Sequence, residues 1–466
     1  MDRIPINRRT TLAAAAAAGV ATSMKSTQRE VASKDSNITQ ASIDHIQAAK
    51  PLLNKPRAYE IMDKYGLDGL VASSSLNIYY LSSHSGIMQW MGRNFSTYAF
   101  FPRHENAPAA IVLPAVMLYH LDYRPTWIPS IQTYTMPLRG EDGRVLYDAA
   151  GNLMANPKTS FWPVSDGETD ERDRLQLALF NAYEGKTSAN ALYGLKAAII
   201  EGGAAKGTVG FEDPRVLPWL QDIGLPDIQG KDAINTFKEI RMVKTENEID
   251  ILREAAHRNE IALDYAIEQI EPGLPLGEIE LAHARKWGEL DGRGKWLIAN
   301  IHGLNSGIIK SGDWMKLDSV GVYKGYHGDV GRTVMIGDPP YELVRRIEAN
   351  TKASRLTYEA IRPGMKFTEA SKIFGDLMKQ EGVERGFGSA HNVGLEHTDQ
   401  PWPTGSEQLD SFVQDLTFEN GTVFTLDMPY NEVGWGTTHV EDMIVIRENG
   451  YEALSSMDTS LRIRPT

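Results

Sequence analysis

Lys316-Leu317-Asp318-Ser319-Val320-Gly321-Val322-Tyr323-Lys324-Gly325-Tyr326-His327-Gly328-Asp329 is the stretch on which the reading of the fold turns. Its two aspartates are 11 apart, an odd spacing, so on one straight strand they would point to opposite faces. A hairpin reverses that answer. The midpoint of the two acids falls between Tyr323 and Lys324, just before Gly325, and a turn there predicts Asp318 and Asp329 as cross-strand partners. Directly opposite residues hold their Cβ atoms about 4.5–5.5 Å apart. Two carboxylates that close on a half-buried sheet repel one another unless they share a proton or a cation.

The construction repeats downstream. Asp427, in Val423-Phe424-Thr425-Leu426-Asp427, and Glu441, in Thr438-His439-Val440-Glu441, have their midpoint at Gly434, so a second turn faces two further acids. Two divalent cations would offset these four charges, and metal pairs that bridge a water sit roughly 3.5–4 Å apart. Between the hairpins, Ala390-His391-Asn392-Val393-Gly394-Leu395-Glu396-His397 carries two histidines six apart. One ring can complete a metal's shell while the other hydrogen-bonds a polarised carbonyl or its oxyanion.

The rest of the chain bounds this reading. Its 466 residues suffice for two or three domains at roughly 100–200 residues each. A formal charge of −13 argues against a nucleic-acid partner held by phosphate attraction. The absence of cysteine excludes disulfides, thiolate ligands, iron-sulfur clusters and a cysteine nucleophile, so a metal must be held by His, Asp and Glu. A mean hydropathy of −0.33, without an apolar run near twenty residues past the N-terminus, excludes a membrane span.

Asn7-Arg8-Arg9-Thr10-Thr11-Leu12, followed by the small-residue run from Ala13, resembles a twin-arginine export signal and predicts a periplasmic protein. Residues 1–42 therefore read as signal and linker. Residues 43–228 alternate helical and strand-like runs: Pro56–Tyr65 as a helix, Gly69–Ala72 and Ala109–Leu113 as strands, and Gly140–Asp170 as a long loop. Pro226, Gly230 and Asp232 mark a boundary, after which residues 234–466 form the second domain. There, Thr245 and Glu248 make a capping box that opens an amphipathic helix. Helices are predicted at 276–290 and at 341–381, the latter broken at Pro363-Gly364. The fold class is α+β.

Taken in order, Asp318, Asp329, His391, Asp427 and Glu441 resemble the ligand set of the Xaa-Pro peptidase, prolidase, methionine aminopeptidase and creatinase family (M24). That resemblance implies a C-terminal pita-bread domain with a smaller α/β creatinase-type N-terminal domain, and a homodimer. It implies that Asp318 chelates one metal, Asp329 and Glu441 bridge two, and His391 with Asp427 completes the second site. Asp427 would also act as base, and His397 would stabilise the tetrahedral intermediate. Mn is the ion the resemblance favours, with Zn, Co and Fe also suited to an oxygen-rich shell.

The chain departs from the family pattern at three positions: Asp427 where Glu is usual, Lys310 where a substrate-side His is usual, and His439 where an Arg is usual. Lys310 and His439 are accordingly candidate substrate contacts. The implied activity is hydrolysis of an amide bond in short peptides by an Xaa-Pro dipeptidase or an aminopeptidase P-like enzyme. The alternatives are the lyase branch of the fold, which cleaves dimethylsulfoniopropionate, and another non-peptidase member such as a creatinase-like, metal-free C–N hydrolase, which the five intact ligand-type residues disfavour. His397, and Ser319 and Val320 beside Asp318, argue against the lyase.

Overall fold

The computed structural model describes residues 39–158, 163, 167–384, 388–402 and 415–466. The export-signal motif lies outside them. Two compact units emerge, one formed by the described residues up to Pro51 with Asp68–Lys231, the other by Leu52–Leu67 with Asp232–Thr466.

The first unit is built on a six-stranded mixed sheet in the order β4-β3-β2-β1-β5-β6. Its strands are β1 (Gly69–Ala72), β2 (Tyr98–Pro102), β3 (Ala110–Pro114), β4 (Ser130–Tyr134), β5 (Thr208–Phe211) and β6 (Gln229–Asp232). The apolar run of β3 is buried along its whole length, as a strand covered on both faces requires. The helix Ala191–Glu201 is capped by Asn190, whose side chain accepts from the Tyr193 N–H. It buries Leu195 and Ile199 against Phe100, Val112 and Phe211. Overlapping the start of the expected loop 140–170, residues 137–155 instead fold back on themselves, with bridges Pro137–Ala155, Arg139–Val145 and Tyr147–Leu153.

The second unit includes the helix Lys55–Tyr65, which the sequence reading groups with the N-terminal domain. Asn54 opens that helix and donates to the Val243 carbonyl at 3.0 Å. Arg57 pairs with Glu419 at 2.6 Å. Beyond it lie two four-stranded sheets, ordered β16-β9-β8-β7 and β10-β11-β14-β15, and the two-stranded ribbon β12-β13. The strands are β7 (Arg293–Ile301), β8 (Trp314–Tyr323), β9 (Tyr326–Ile336), β10 (Ser389–Asn392), β11 (Val423–Asp427), β12 (Tyr430–Glu432), β13 (Gly436–Thr438), β14 (Met443–Arg447), β15 (Gly450–Ala453) and β16 (Arg462–Arg464).

Helices Glu246–Glu268 and Gly277–Glu289 back the first of these sheets, burying Leu263, Ile267 and Ile279 against Met315, Leu317 and Val330. The capping box is present, with Thr245 accepting from the Glu248 N–H and Glu248 accepting from the Thr245 N–H. Helices Tyr341–Ala360 and Phe367–Gln380 back the second sheet around Phe374, Phe418, Phe424 and Ile444. The helix break falls at the expected Pro363-Gly364.

Both hairpins form. The second has the expected register: Tyr430 pairs with Thr438 and Thr425 with Met443, so the turn centres on Gly434 at φ 89°. The first is shifted. Tyr323 pairs with Tyr326 across a two-residue turn in which Lys324 and Gly325 both have positive φ, 46° and 85°. Such primed turns match the twist of the flanking strands. Asp318 therefore stands opposite Gly331, and Asp329 opposite Val320, which corrects the direct pairing expected of the two acids. Because 329 and 331 differ by two, both acids still share one face, as diagonal neighbours about 7–8 Å apart.

Candidate metal centre

Strand alternation sorts β8 into two faces. Met315 and Leu317 enter the core, whereas Trp314, Lys316 and Asp318 are half-buried on the other side. That open face is continued on β9 by Asp329 and Gly331 and on β7 by Trp296 and Ile298, the partners of Val320 and Asp318. Gly331 also bridges to Glu441 through reciprocal N–H to carbonyl bonds of 3.1 Å, tying β9 to the segment that leads into β14. A β-carbon at Gly331 would lie 1.8 Å from His439 Cδ2. The glycine thus admits the His439 ring to the acids.

Five of the predicted positions gather with His397 and His439 around one point. His391 Nε2 lies 3.8 Å from Asp329 Oδ2 and 3.9 Å from Glu441 Oε1. His397 Nε2 stands 3.1 Å from Asp329 Oδ2. His439 Nε2 is 3.0 Å from Glu441 Oε2 and 3.6 Å from Asp427 Oδ1. Three overlapping donor groups result, Asp329-His391-His397, Asp318-His439-Glu441 and His391-Asp427-Glu441, each with its donor atoms within 4.8 Å of one another. Lys310 is exposed, and its backbone N–H donates to Asp313 Oδ2 at 2.8 Å; it is in none of the three donor groups that form the cage.

The electrostatics of this cage suit cations. Burial, then the charges of Asp318 and Asp427, hold the Asp329 carboxyl well above its ordinary range. Burial, then Asp329 and Asp318, do the same to Glu441. Burial and Glu441 push Asp427 up to about 7. Burial lowers His391 to about 3, and also lowers His439, so both rings stay neutral with lone pairs available. Among the described residues, neither oxygen of Asp329 accepts a hydrogen bond, nor does Asp427 Oδ1, although all three are buried. Buried acceptors without donors are costly, and divalent cations between these groups satisfy them. The donor set, four carboxylates with imidazoles, fits such ions.

Side chains that the sequence reading did not single out orient these donors. Thr425, opposite His391 on β11, donates to Glu441 Oε1 at 2.7 Å and lies 3.2 Å from His391 Nε2. Trp296 Nε1 donates to Asp318 Oδ1 at 3.4 Å, and its ring packs edge-on against His397 at 5.0 Å. The loop after His391 is held by buried ions. Arg241 donates to Asp399 Oδ1 at 2.8 Å and pairs with Glu396, while Lys244 contacts Asn392 and lies 3.8 Å from Asp399 Oδ2. Asp399 Oδ2 in turn accepts the Leu395 N–H at 3.1 Å. Period-two alternation along β11 was the one signal that could have marked Thr425, since it shares a face with Asp427.

Residues 250–448 match the sequence profile of metallopeptidase family M24. An Xaa-Pro dipeptidase of Pyrococcus furiosus is 28% identical over 244 residues, covering 50% of this chain and 68% of that protein. The peptidase YqhT of Bacillus subtilis is 30% identical over 252 residues, 51% of this chain and 69% of that protein. Among solved structures, an Xaa-Pro dipeptidase from Bacillus anthracis shares the fold with a TM-score of 0.62 at 18% identity, over 91% of this chain and 100% of that one. With the ordered ligand residues converging as they do, the chain belongs to metallopeptidase family M24.

Proposed function

We propose that this metallopeptidase cleaves the peptide bond of Xaa-Pro dipeptides or the N-terminal Xaa-Pro bond of short peptides, with two Mn ions as cofactor. The convergence of Asp318, Asp329, His391, Asp427 and Glu441, with buried acceptor atoms facing inward, carries the reading. When bound, the ions supply a water acidified to near neutrality and polarisation of the scissile carbonyl.

The chain's own residues do the remainder. Asp318, Asp329 and Glu441 hold charge at fixed points, and Thr425 fixes the orientation of Glu441. Asp427 combines partial exposure with an elevated proton affinity, which suits a group that takes a proton from water and passes it to the leaving amine. His397, 31% exposed at the rim and braced by Trp296, is placed to hydrogen-bond the carbonyl oxygen as negative charge develops. That placement of an imidazole donor favours hydrolysis over the eliminating lyase.

The same reading proposes export to the periplasm in folded, metal-loaded form and assembly as a homodimer. The test is a Mn-loaded activity screen of Ala-Pro, Ala-Pro-Gly and dimethylsulfoniopropionate. Proline or alanine release with about two ions per chain supports the proposal. Failure to cleave either peptide, with the ions in place, overturns it.

A further inference from the structure

Lys316 is a cation on the open face of the cage that the ligand set does not use. It lies on β8 two residues before Asp318, on the same side of the strand, with Trp314 two residues further along. Thr333 faces it on β9 and Asn300 on β7. Its charge acts on both the Asp427 carboxyl and the His439 ring, so it stands toward the partly exposed Asp427. The side chain is half-buried, and no carboxylate pairs with it among the described residues. The neighbouring rim residues are Trp296 and Ile298, the latter 38% exposed. Lys316 thus shares the open face of the sheet with two apolar side chains, Trp296 and Ile298.

A half-buried ammonium beside four carboxylates has two ways to be satisfied. It can pair with Asp427, or, once the acids are engaged by cations, it can accept an anion from the ligand. Successive same-face residues on a strand are roughly 6.6 Å apart, and the lysine stem adds reach. A peptide whose scissile carbonyl sits at the cage carries its next carboxylate about one residue, roughly 3.5 Å, further along. That places such a carboxylate within the span between Asp318 and Lys316.

We propose that Lys316 binds a substrate carboxylate one residue beyond the scissile bond, and so selects acidic or C-terminally free substrates. The inference rests on the peptidase reading above. The carboxylate has two possible sources, the free C-terminus of a dipeptide or an acidic side chain, and the same contact serves either.

The experiment compares Lys316→Met, Lys316→Arg and the unmodified enzyme, all Mn-loaded and with metal content measured, on Ala-Pro, Ala-Pro amide and Ala-Glu amide. A charge-assisted contact predicts that Lys316→Met lowers kcat/KM by about ten- to a hundredfold on the substrate carrying the recognised carboxylate, mainly through KM. Ala-Pro amide changes little, and Lys316→Arg recovers most of the loss. A loss confined to Ala-Pro identifies the C-terminus, and a loss on Ala-Glu amide identifies the side chain. Equal effects on all three substrates overturn the proposal and leave the peptidase reading intact.

Calorimetric binding of a non-hydrolysable Ala-Pro analogue and its amide reads the contact without turnover. Enzyme that cleaves no peptide defeats the functional reading, while weaker binding of the acid analogue to Lys316→Met still supports the contact. Unchanged binding overturns it.

Discussion

Gly331 and His439 compete for one volume: a β-carbon on the first would lie 1.8 Å from Cδ2 of the second. The His439 ring is fully buried and also meets Glu441 and Asp427. Gly331→Ala must therefore displace the ring or the strand, and is expected to destabilise the protein by about 1–3 kcal/mol and to weaken metal binding. Combining it with His439→Ala should restore much of the stability and less of the affinity. A thermal-unfolding double-mutant cycle with metal titration checks both; strictly additive losses would show that the two sites do not share space.

Thr425 holds Glu441 Oε1 with a 2.7 Å hydrogen bond. Thr425→Val keeps the side-chain shape and leaves that oxygen without its donor. Residues that orient ligands typically contribute about ten- to a hundredfold in metal affinity or activity, and that loss is expected here. Competition with a fluorescent chelator measures it, and Thr425→Ser should recover the affinity.

The elevated carboxyls predict how the metal-free protein responds to pH. A carboxyl whose folded pKa is raised stabilises the fold fully below its unfolded pKa, and that contribution is lost as pH rises through the folded value. For Asp427 this window runs from 3.8 to about 7, and Asp329 and Glu441, raised by burial and by the neighbouring acids, act in the same direction. His391, lowered from 6.5 to about 3, acts in the opposite sense, adding stability as pH rises through that interval. Above pH 6.5 only the carboxyl effect remains. Metal-free protein should therefore lose thermal stability as pH rises from 6.5 through about 7, while Mn-loaded protein stays nearly flat. Scanning calorimetry at several pH values, with and without Mn, decides the matter.

Asp399 is buried, which raises its proton affinity, but Arg241 and Lys244 outweigh that and hold the carboxyl below its ordinary range. Removing one partner of a buried ion network leaves the others uncompensated, at about 3–5 kcal/mol. Arg241→Met is expected to cost that much at neutral pH, and also to loosen the loop that carries His397. Hydrogen exchange at Leu395, whose N–H donates to Asp399, should accelerate in the variant; unchanged protection would disconnect the network from the loop.

The candidate ligand residues, which the structure gathers into overlapping donor groups, stood out in the sequence because their chemistry is distinctive and their order along the chain is unusual. The hairpin at Gly434 could be located by symmetry alone, since its centre is a glycine that takes positive φ readily. The same argument misplaced the first turn by one position. There a lysine adopts positive φ, which a midpoint cannot foresee. Trp296, Thr425 and Lys316 stayed hidden for another reason: each acts across a strand pairing that its local sequence does not encode. The buried partnership of Arg241 with Asp399 spans 158 positions and was equally out of reach. The segment near 140–155 reads as loop because Gly, Asp and Asn dominate it, yet backbone bridges order it.

The Lys324-Gly325 turn carries a liability that its solvent-side location conceals. One added residue there would slip β9 against β8 by a single position and exchange the two sides of the strand. Asp329 would then be driven toward Leu263 and Met315, Gly328 would take its place, and Val330 would stand opposite Asp318. Surface loops elsewhere in such a protein absorb length changes cheaply, but here a codon inserted at the tip would erase the metal centre without touching a ligand.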